Sequence, residues 1–174
     1  MHENGRMALM ELNSSSEEAF RAALDGIWEH SPWVVEAVVT ERPFASLDAL
    51  AARMGLAVSQ ADEAKQLALL RAHPDLAGKL ALAGELTPES TREQASAGLD
   101  RLTPQEFAAF QDWNERYRQR TGFPFIICVR EHTKHGIRAA LRRRLLLPPH
   151  VELGTALAEV RKIAEYRLRE RITE

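Results

Sequence analysis

The clearest helix signal in the chain is the stretch 103–122, TPQEFAAFQDWNERYRQRTG. Thr103 and Glu106 have the S/T-x-x-E spacing of a capping box, and Pro104 stands at the first helical position, where proline is well tolerated. Apolar side chains follow at helical spacing, and Gly122 supplies a stop. The stretch therefore predicts an amphipathic helix of about five turns.

Similar start and stop signals recur on both sides of this helix, so most of the chain is predicted to be helical. Further helices are predicted to begin after Ser14–Ser16 and at Ser31-Pro32, to run from Ser46 to a stop at Gly55, and to run from a Ser59 cap to just before Pro74. Ser90 and Glu93 match a second capping box, and a final pair covers about 134–146 and 151–172.

One segment departs from the helical pattern: GFPFIICV, residues 122–129. Its aromatic and β-branched run is too short for a buried helix and too isolated for a sheet, which favours an extended buried segment. Without a strand partner its backbone N–H and C=O groups need other partners, and a bound ligand is one candidate. The predicted fold class is all-α: a single-domain multi-helix bundle with one short extended buried segment near 122–129.

The composition limits the possible classes of protein. The chain has 174 residues, 45% of them apolar, and its 23 Lys and Arg nearly balance 25 Asp and Glu, so net charge favours neither nucleic acid nor a membrane as partner. A single cysteine excludes an internal disulfide and a Cys-rich zinc site. Apolar runs are too short to span a membrane or to form a signal peptide. We expect a soluble cytoplasmic protein with one domain over 15–174 and a disordered or frayed N-terminus over 1–14, within which Met7 is an alternative start.

A few polar residues could carry chemistry. His73 stands at a helix end before Pro74 and suits proton transfer, although a helix-terminal histidine can also be purely structural. Ser90, Glu93 and Gln94 share one helical face and could bind a small polar ligand, but a capping box would use the same atoms. His132 and His135 lack the third ligand that a metal site needs, so no metal is predicted. The basic run 142–144 is read mainly as a solvated helix face.

In their order along the chain, several motifs resemble the OHCU decarboxylase family (2-oxo-4-hydroxy-4-carboxy-5-ureidoimidazoline decarboxylase), over about residues 17 to 170. The motifs are EHSPW at 29–33, HPDLAGK at 73–79, Ser90-x-x-Glu93-Gln94 with AGL at 97–99, Asn114-x-x-Tyr117, GFPFI at 122–126, and Ile163-Ala164-x-x-Arg167.

The resemblance implies a cofactor-independent carboxy-lyase that converts this anionic ureidoimidazoline to (S)-allantoin and CO2, the last step of urate degradation to allantoin. It also implies an all-α homodimer without cofactor or metal. The implied catalytic residues are His73, Glu93 and Arg167. The implied substrate-binding residues are Pro74, Ser90, Thr91, Arg92 and Gln94, together with the segment Phe125, Ile126, Ile127, Cys128 and Val129.

Two other classes of function stay open at this point. A non-catalytic helical module could bind a small ureide or purine-like ligand with the same residues. A plain helix-bundle interaction protein could use Arg142–Arg144 as its contact surface.

Overall fold

The computed structural model describes residues 6–78 and 84–174, and the chain divides into two compact units. The first unit holds the residues up to 72 together with 161–174, and the second holds 73–160. The described residues are mostly helical, which confirms the all-α fold class.

The first unit combines short and medium helices with one pair of two-residue strands. Its elements are β1 (Met7–Ala8), α1 (Leu9–Ser14), α2 (Glu17–Leu24), α3 (Trp33–Glu36), a 3-10 turn (Val39–Glu41), α4 (Leu47–Gln60), α5 (Glu63–Arg71) and β2 (Ile172–Thr173). The two strands pair in parallel, with Met7 opposite Ile172. The buried side chains of this unit include Phe20, Leu24, Leu50, Met54 and Leu69.

The second unit is built around the long helix predicted first. Its described elements are α6 (Pro88–Ser96), α7 (Pro104–Thr121), a 3-10 turn (Val129–Glu131), α8 (Lys134–Arg144) and the start of α9 (Pro149–Arg171), whose last residues belong to the first unit. Tyr117 on α7 makes edge contacts with Phe123 and Phe125, at ring-centroid distances of 6.1 and 5.3 Å. The aromatic start of the extended segment therefore lies in the core.

The capping box predicted for α7 is present. Thr103 Oγ1 accepts a hydrogen bond from Glu106 N at 3.2 Å, and Glu106 Oε2 accepts one from Thr103 N at 2.9 Å. At the other end Gly122 takes a left-handed conformation with φ of 79°, which only glycine adopts at little cost.

Two of the predicted boundaries in the first unit are wrong. Gly55 does not end α4, which continues to Gln60, because one glycine costs a helix only about 1 kcal/mol and the flanking residues are good helix formers. Ser59 does not cap α5 either: Asp62 does, by accepting a hydrogen bond from Lys65 N at 2.8 Å.

The second capping box, Ser90 with Glu93, is also wrong. Thr87 caps α6 by accepting from Ser90 N at 3.2 Å, and Pro88 is its first residue. Ser90 and Glu93 thus lie within the helix, and the N-cap residue is Thr87 and not Ser90.

The segment expected to be disordered or frayed begins to form regular structure at Met7. Residues 7–14 form β1 and α1, and Leu9 and Leu12 are buried. Asn13 further connects α1 to the chain near α4, because its side chain both donates to and accepts from the backbone of Phe44, at 2.9 and 2.8 Å.

Candidate functional site

His73 lies in the loop that follows α5, and it is buried with 7% of its surface exposed. Pro74 restricts the backbone of the residue before it to extended conformations, so the helix cannot continue through His73. Two residues further on, Asp75 forms an ion pair with Arg118 of α7 at 2.8 Å. The loop that carries the histidine is thereby anchored to the longest helix of the second unit.

Three side-chain amides form hydrogen bonds with the backbone of the same loop. Gln94 Oε1 accepts a hydrogen bond from Ala77 N at 2.9 Å, and Gln111 Nε2 donates to Ala77 O at 2.9 Å. Asn114 Nδ2 donates to Leu76 O at 2.8 Å. The loop backbone therefore gains from α6 and α7 the hydrogen bonds that a helix or sheet would otherwise provide.

The face of α6 predicted to be functional is buried. Ser90, Glu93 and Gln94 are each at least 94% buried, as expected for residues three and four apart on one helical face. Gln94 differs from the prediction in one respect, since its side-chain oxygen is already bonded to the His73 loop.

Thr91 and Arg92, also predicted to bind substrate, lie on the exposed face of α6. The Thr91 hydroxyl donates to Thr87 O at 3.0 Å, and Arg92 is within 3.6 Å of Glu89. The structure does not bring these two side chains together with Ser90 and Glu93.

Arg130 is a residue of this region that the sequence analysis missed. Its guanidinium lies 3.7 Å from Glu93 Oε1, and the 3-10 turn that carries it packs against α6. The sequence did offer one signal for it: Arg130 directly follows the predicted buried segment, so its charge lies next to the interior. Arg130 supplies a positive charge next to an otherwise costly buried carboxylate.

Residues 123–129 are buried, as predicted, and residues 124–128 belong to no helix or strand, with extended backbone angles at Cys128. The two ends of the predicted segment differ from an extended chain, because Gly122 is exposed and left-handed and Val129 begins the 3-10 turn. Two backbone groups of the segment are bonded by side chains of the same unit: Ile126 O accepts from Arg144 Nη1, and Cys128 N donates to Glu159 Oε2, both at 2.7 Å. These two groups therefore do not need the ligand that the sequence analysis considered as their partner.

Cys128 is suited to a structural role. Burial, followed by the negative charges of Glu131, Glu159 and Glu93, raises the pKa of its thiol to about 11, although a backbone hydrogen bond at Arg130 acts in the opposite direction. At neutral pH the thiol stays protonated, and a protonated thiol is a poor nucleophile.

A buried polar cluster lies behind the extended segment. Glu152 Oε2 accepts hydrogen bonds from the Tyr117 hydroxyl and, at 2.8 Å, from Arg144 Nε. Burial, followed by the hydrogen bond to Glu152, raises the pKa of the Tyr117 hydroxyl. Arg144 is 3% exposed, so the predicted solvated or contact surface at 142–144 is wrong at this position, while Arg142 and Arg143 are exposed.

Arg167 belongs to the first unit and is 2% exposed. Its Nη2 donates to Glu29 Oε2 at 3.1 Å, and its Nη1 donates to Gly26 O at 3.2 Å. Glu29 is itself 3% exposed, so the two residues form a buried ion pair within this unit.

Among residues 6–78 and 84–174, no three His, Cys, Asp or Glu side chains are placed to share a metal ion. None of the helices in the described part of the chain is long and apolar enough to cross a membrane.

Comparison with known sequences identifies relatives along nearly the whole chain. The family model for OHCU decarboxylase matches residues 13–169. A 2-oxo-4-hydroxy-4-carboxy-5-ureidoimidazoline decarboxylase of Haloferax volcanii is 44% identical over 173 residues, covering 99% of both chains. The uric acid degradation bifunctional protein PucL of Bacillus subtilis is 40% identical over 94% of this chain and 32% of its own length.

Two solved structures share the fold. The crystal structure of (S)-allantoin synthase superposes with a TM-score of 0.78 at 34% identity, covering 96% of this chain and 54% of that one. The crystal structure of an OHCU decarboxylase in the presence of (S)-allantoin superposes with a TM-score of 0.68 at 25% identity, covering 90% and 97%.

Proposed function

The chain belongs to the OHCU decarboxylase family, and from that premise we propose that it decarboxylates 2-oxo-4-hydroxy-4-carboxy-5-ureidoimidazoline to (S)-allantoin and CO2, the last step from urate to allantoin. The observation that carries the proposal is the set of polar side chains buried in the second unit. Gln94 is bonded to the loop backbone, whereas His73, Ser90 and Glu93 have the acid, base and hydroxyl groups that the reaction can use.

The substrate carries its own electron sink. Its carboxylate sits on a tetrahedral ring carbon that also bears a hydroxyl, and the neighbouring ring carbon bears the ureido group and a C=N bond. When the bond to CO2 breaks, its electron pair forms a double bond between the two ring carbons, and the electrons of the C=N bond move to the ring nitrogen, which takes up a proton. The hydroxyl proton is then lost and the carbon that bears the ureido group gains a proton, which sets the hand of allantoin. Cofactor-dependent decarboxylases use an external group for the same purpose.

His73 is proposed to transfer the proton, either from the ring hydroxyl or to the intermediate. Histidine is the side chain best suited to this near neutral pH, and a positioned acid or base contributes roughly 10²–10⁴ in rate. The anchoring of its loop by Asp75, Gln94, Gln111 and Asn114 supports the assignment, because proton transfer requires a fixed geometry.

Glu93 is proposed to hold His73 or an N–H group of the substrate. Its place on the buried face of α6, 3.7 Å from the guanidinium of Arg130, supports a role within the site. Pro74, Ser90 and the backbone of Phe125–Val129 are proposed as substrate contacts. Thr91 and Arg92, whose side chains are exposed, stay predictions as substrate contacts.

Arg167 is proposed to orient a carboxylate or carbonyl of the substrate with its planar guanidinium. We further propose that residues 15–174 act as one functional domain, that the protein is a cytoplasmic homodimer, and that it needs no cofactor. The match of the family model over residues 13–169 supports the first of these, since it takes in residues of both units.

The test is circular dichroism during coupled turnover. Urate is converted with urate oxidase and 5-hydroxyisourate hydrolase, and this protein is then added. We expect rapid growth of the optical signal of (S)-allantoin. Decay no faster than the uncatalysed control, ending in racemic allantoin, would reject catalysis and favour the ligand-binding module instead.

A further inference from the structure

We infer that Arg144 is a positioning residue for the reaction: held by Glu152, it fixes the carbonyl of Ile126 and with it the extended segment 124–128. The inference rests on the proposed function, which assigns this segment to the substrate. Arg144 lies on α8, and its buried side chain contacts the segment.

Arg144 uses three nitrogens on three different partners. Nε donates to Glu152 Oε2 at 2.8 Å, Nη1 donates to Ile126 O at 2.7 Å, and Nη2 donates to the Tyr117 hydroxyl at 3.3 Å. A guanidinium makes this possible because its donors are fixed in one plane. The carbonyl of Ile126 is thereby held at a defined position relative to α7, α8 and α9.

The same guanidinium also packs on a side chain of the segment. Its central carbon lies 4.5 Å from the centroid of the Phe125 ring, the geometry of a cation–π contact. One residue therefore locates both the backbone at 126 and the side chain at 125.

A second contact holds the same edge of the segment. In an extended chain the carbonyl of one residue and the N–H of the second residue after it leave the same side. Ile126 O and Cys128 N are such a pair, and Glu159 on α9 accepts from the latter at 2.7 Å. In the same geometry the N–H and C=O groups of Ile127 point to the opposite edge. When Arg144 and Glu159 fix the first edge, the Ile127 groups are held in position to bind a ligand.

The buried cluster of Tyr117, Arg144 and Glu152 is better explained by its role in positioning the segment than by a contribution to the stability of the fold. Glu152 is fully buried, and its Oε1 is buried with no hydrogen-bond partner among the described residues. Buried ion pairs are often no more stabilising than apolar side chains of the same volume. An apolar core at this point could not hold the carbonyl of Ile126, whereas Arg144 does.

The experiment compares Arg144→Lys with two control variants. The lysine keeps the positive charge but cannot reach three partners in one plane. Arg143→Lys makes the same substitution at the exposed neighbouring position of α8 and leaves the contacts of Arg144 in place. Thr103→Ala weakens the cap of α7 without touching the segment, and it serves as the control for general destabilisation.

Two measurements are made on each variant. The first is KM and kcat in the circular dichroism assay. The second is the rate at which iodoacetamide labels Cys128, the one cysteine of the chain, which is fully buried in the segment. Labelling reports loosening of the segment and does not depend on activity.

We expect Arg144→Lys to raise KM at least tenfold with a smaller change in kcat, and to speed Cys128 labelling at least tenfold. Both controls should stay within threefold of the wild type in both measurements. Labelling and KM within threefold of the wild type in folded Arg144→Lys would overturn the inference. The inference would also be overturned if Thr103→Ala, with the same melting temperature as Arg144→Lys, changed KM and Cys128 labelling as much as Arg144→Lys does.

If Arg144→Lys does not fold, Glu159→Leu tests the other contact on the same edge. It should also speed labelling at least tenfold, while Glu159→Gln, whose amide oxygen still accepts from Cys128 N, should stay within threefold. Equal labelling in these two variants would contradict the role of this edge. A wild type without turnover would instead reject the proposed function, and labelling would still test the hold of Arg144 on the segment.

Discussion

His73 differs from the other histidines in the described part of the chain in being buried: His30, His135 and His150 are exposed and His132 is partly exposed. The local sequence could not distinguish a catalytic histidine from a helix-terminal one. The side chains that anchor its loop favour the catalytic interpretation, because proton transfer requires a fixed geometry.

The first prediction concerns this imidazole. His73→Asn should lower kcat at least about 10²-fold, because a positioned acid or base contributes that much or more. The matched control is His150→Asn, an exposed change that should leave kcat within twofold. Rates are measured by the appearance of (S)-allantoin and folding by far-UV circular dichroism. A folded His73→Asn with wild-type turnover would remove the residue from the mechanism.

Glu29 shows what a motif alone does not reveal. The sequence analysis used it only as part of EHSPW, and the structure pairs it with Arg167 in the interior of the first unit. We predict that Glu29→Gln lowers the free energy of unfolding by about 3–5 kcal/mol, since it removes the charge of one partner of a buried ion pair.

The matched control is Glu36→Gln, which removes an exposed partner of Arg21. It should lower the free energy of unfolding far less than Glu29→Gln, because solvent screens exposed pairs. Urea unfolding at neutral pH measures both variants. If the two variants lowered the free energy of unfolding equally, burial would not make the Glu29–Arg167 pair more important for stability than an exposed pair.

At the scale of elements, the start of α6 shows where a sequence rule competes with burial. The pattern Ser90-x-x-Glu93 satisfies the capping-box rule, but Thr87-Pro88 one turn earlier repeats the Thr103-Pro104 pair that begins α7. The earlier start lets Glu93 turn inward towards Arg130. A local rule cannot anticipate this, because Arg130 lies 37 residues further along the chain.

The contact between α7 and α8 gives a pH-dependent prediction. Hydrogen bonds from the Lys134 side chain and then from the Thr103 backbone N–H lower the pKa of Glu106 from 4.5 to about 2. A carboxyl whose pKa is lower in the folded state stabilises the fold above its unfolded pKa, and this contribution is lost as the pH falls through the folded pKa.

The stability difference between the wild type and Glu106→Gln should therefore be largest above about pH 5 and should shrink steadily towards about pH 2. Urea unfolding at pH 7, 4 and 3 measures it. Glu115→Gln on the exposed side of α7 is the control and should show no comparable narrowing. A difference that is independent of pH would contradict the role of the Lys134 and Thr103 contacts.

At the scale of the whole molecule, the sequence predicted the fold class and the extended segment, because caps, glycine stops and apolar spacing act over a few residues. The long helix α7 and the run 122–129 are the best examples. The polar cluster of Tyr117, Arg144 and Glu152 was not predictable, since its members read individually as helix residues and meet only through tertiary packing.

The proposed homodimer predicts a specific mass. Sedimentation equilibrium should give about 39 kDa, twice the 19.6 kDa of one chain. The fully reduced protein should give the same mass, because its single cysteine is buried and cannot link two chains. A value near 19.6 kDa at micromolar concentration would contradict the dimer.

The anchoring of the His73 loop also sets an order of events during synthesis. The amides that hold Leu76 and Ala77 come 17, 34 and 38 residues later in the chain. A ribosome-bound chain that has exposed His73 but not yet Asn114 therefore lacks the supports that position the imidazole. The loop geometry on which the proposed catalysis depends is therefore acquired late, after α7 has been made and has packed, and a prematurely terminated chain ending before α7 would carry the histidine without these anchoring contacts.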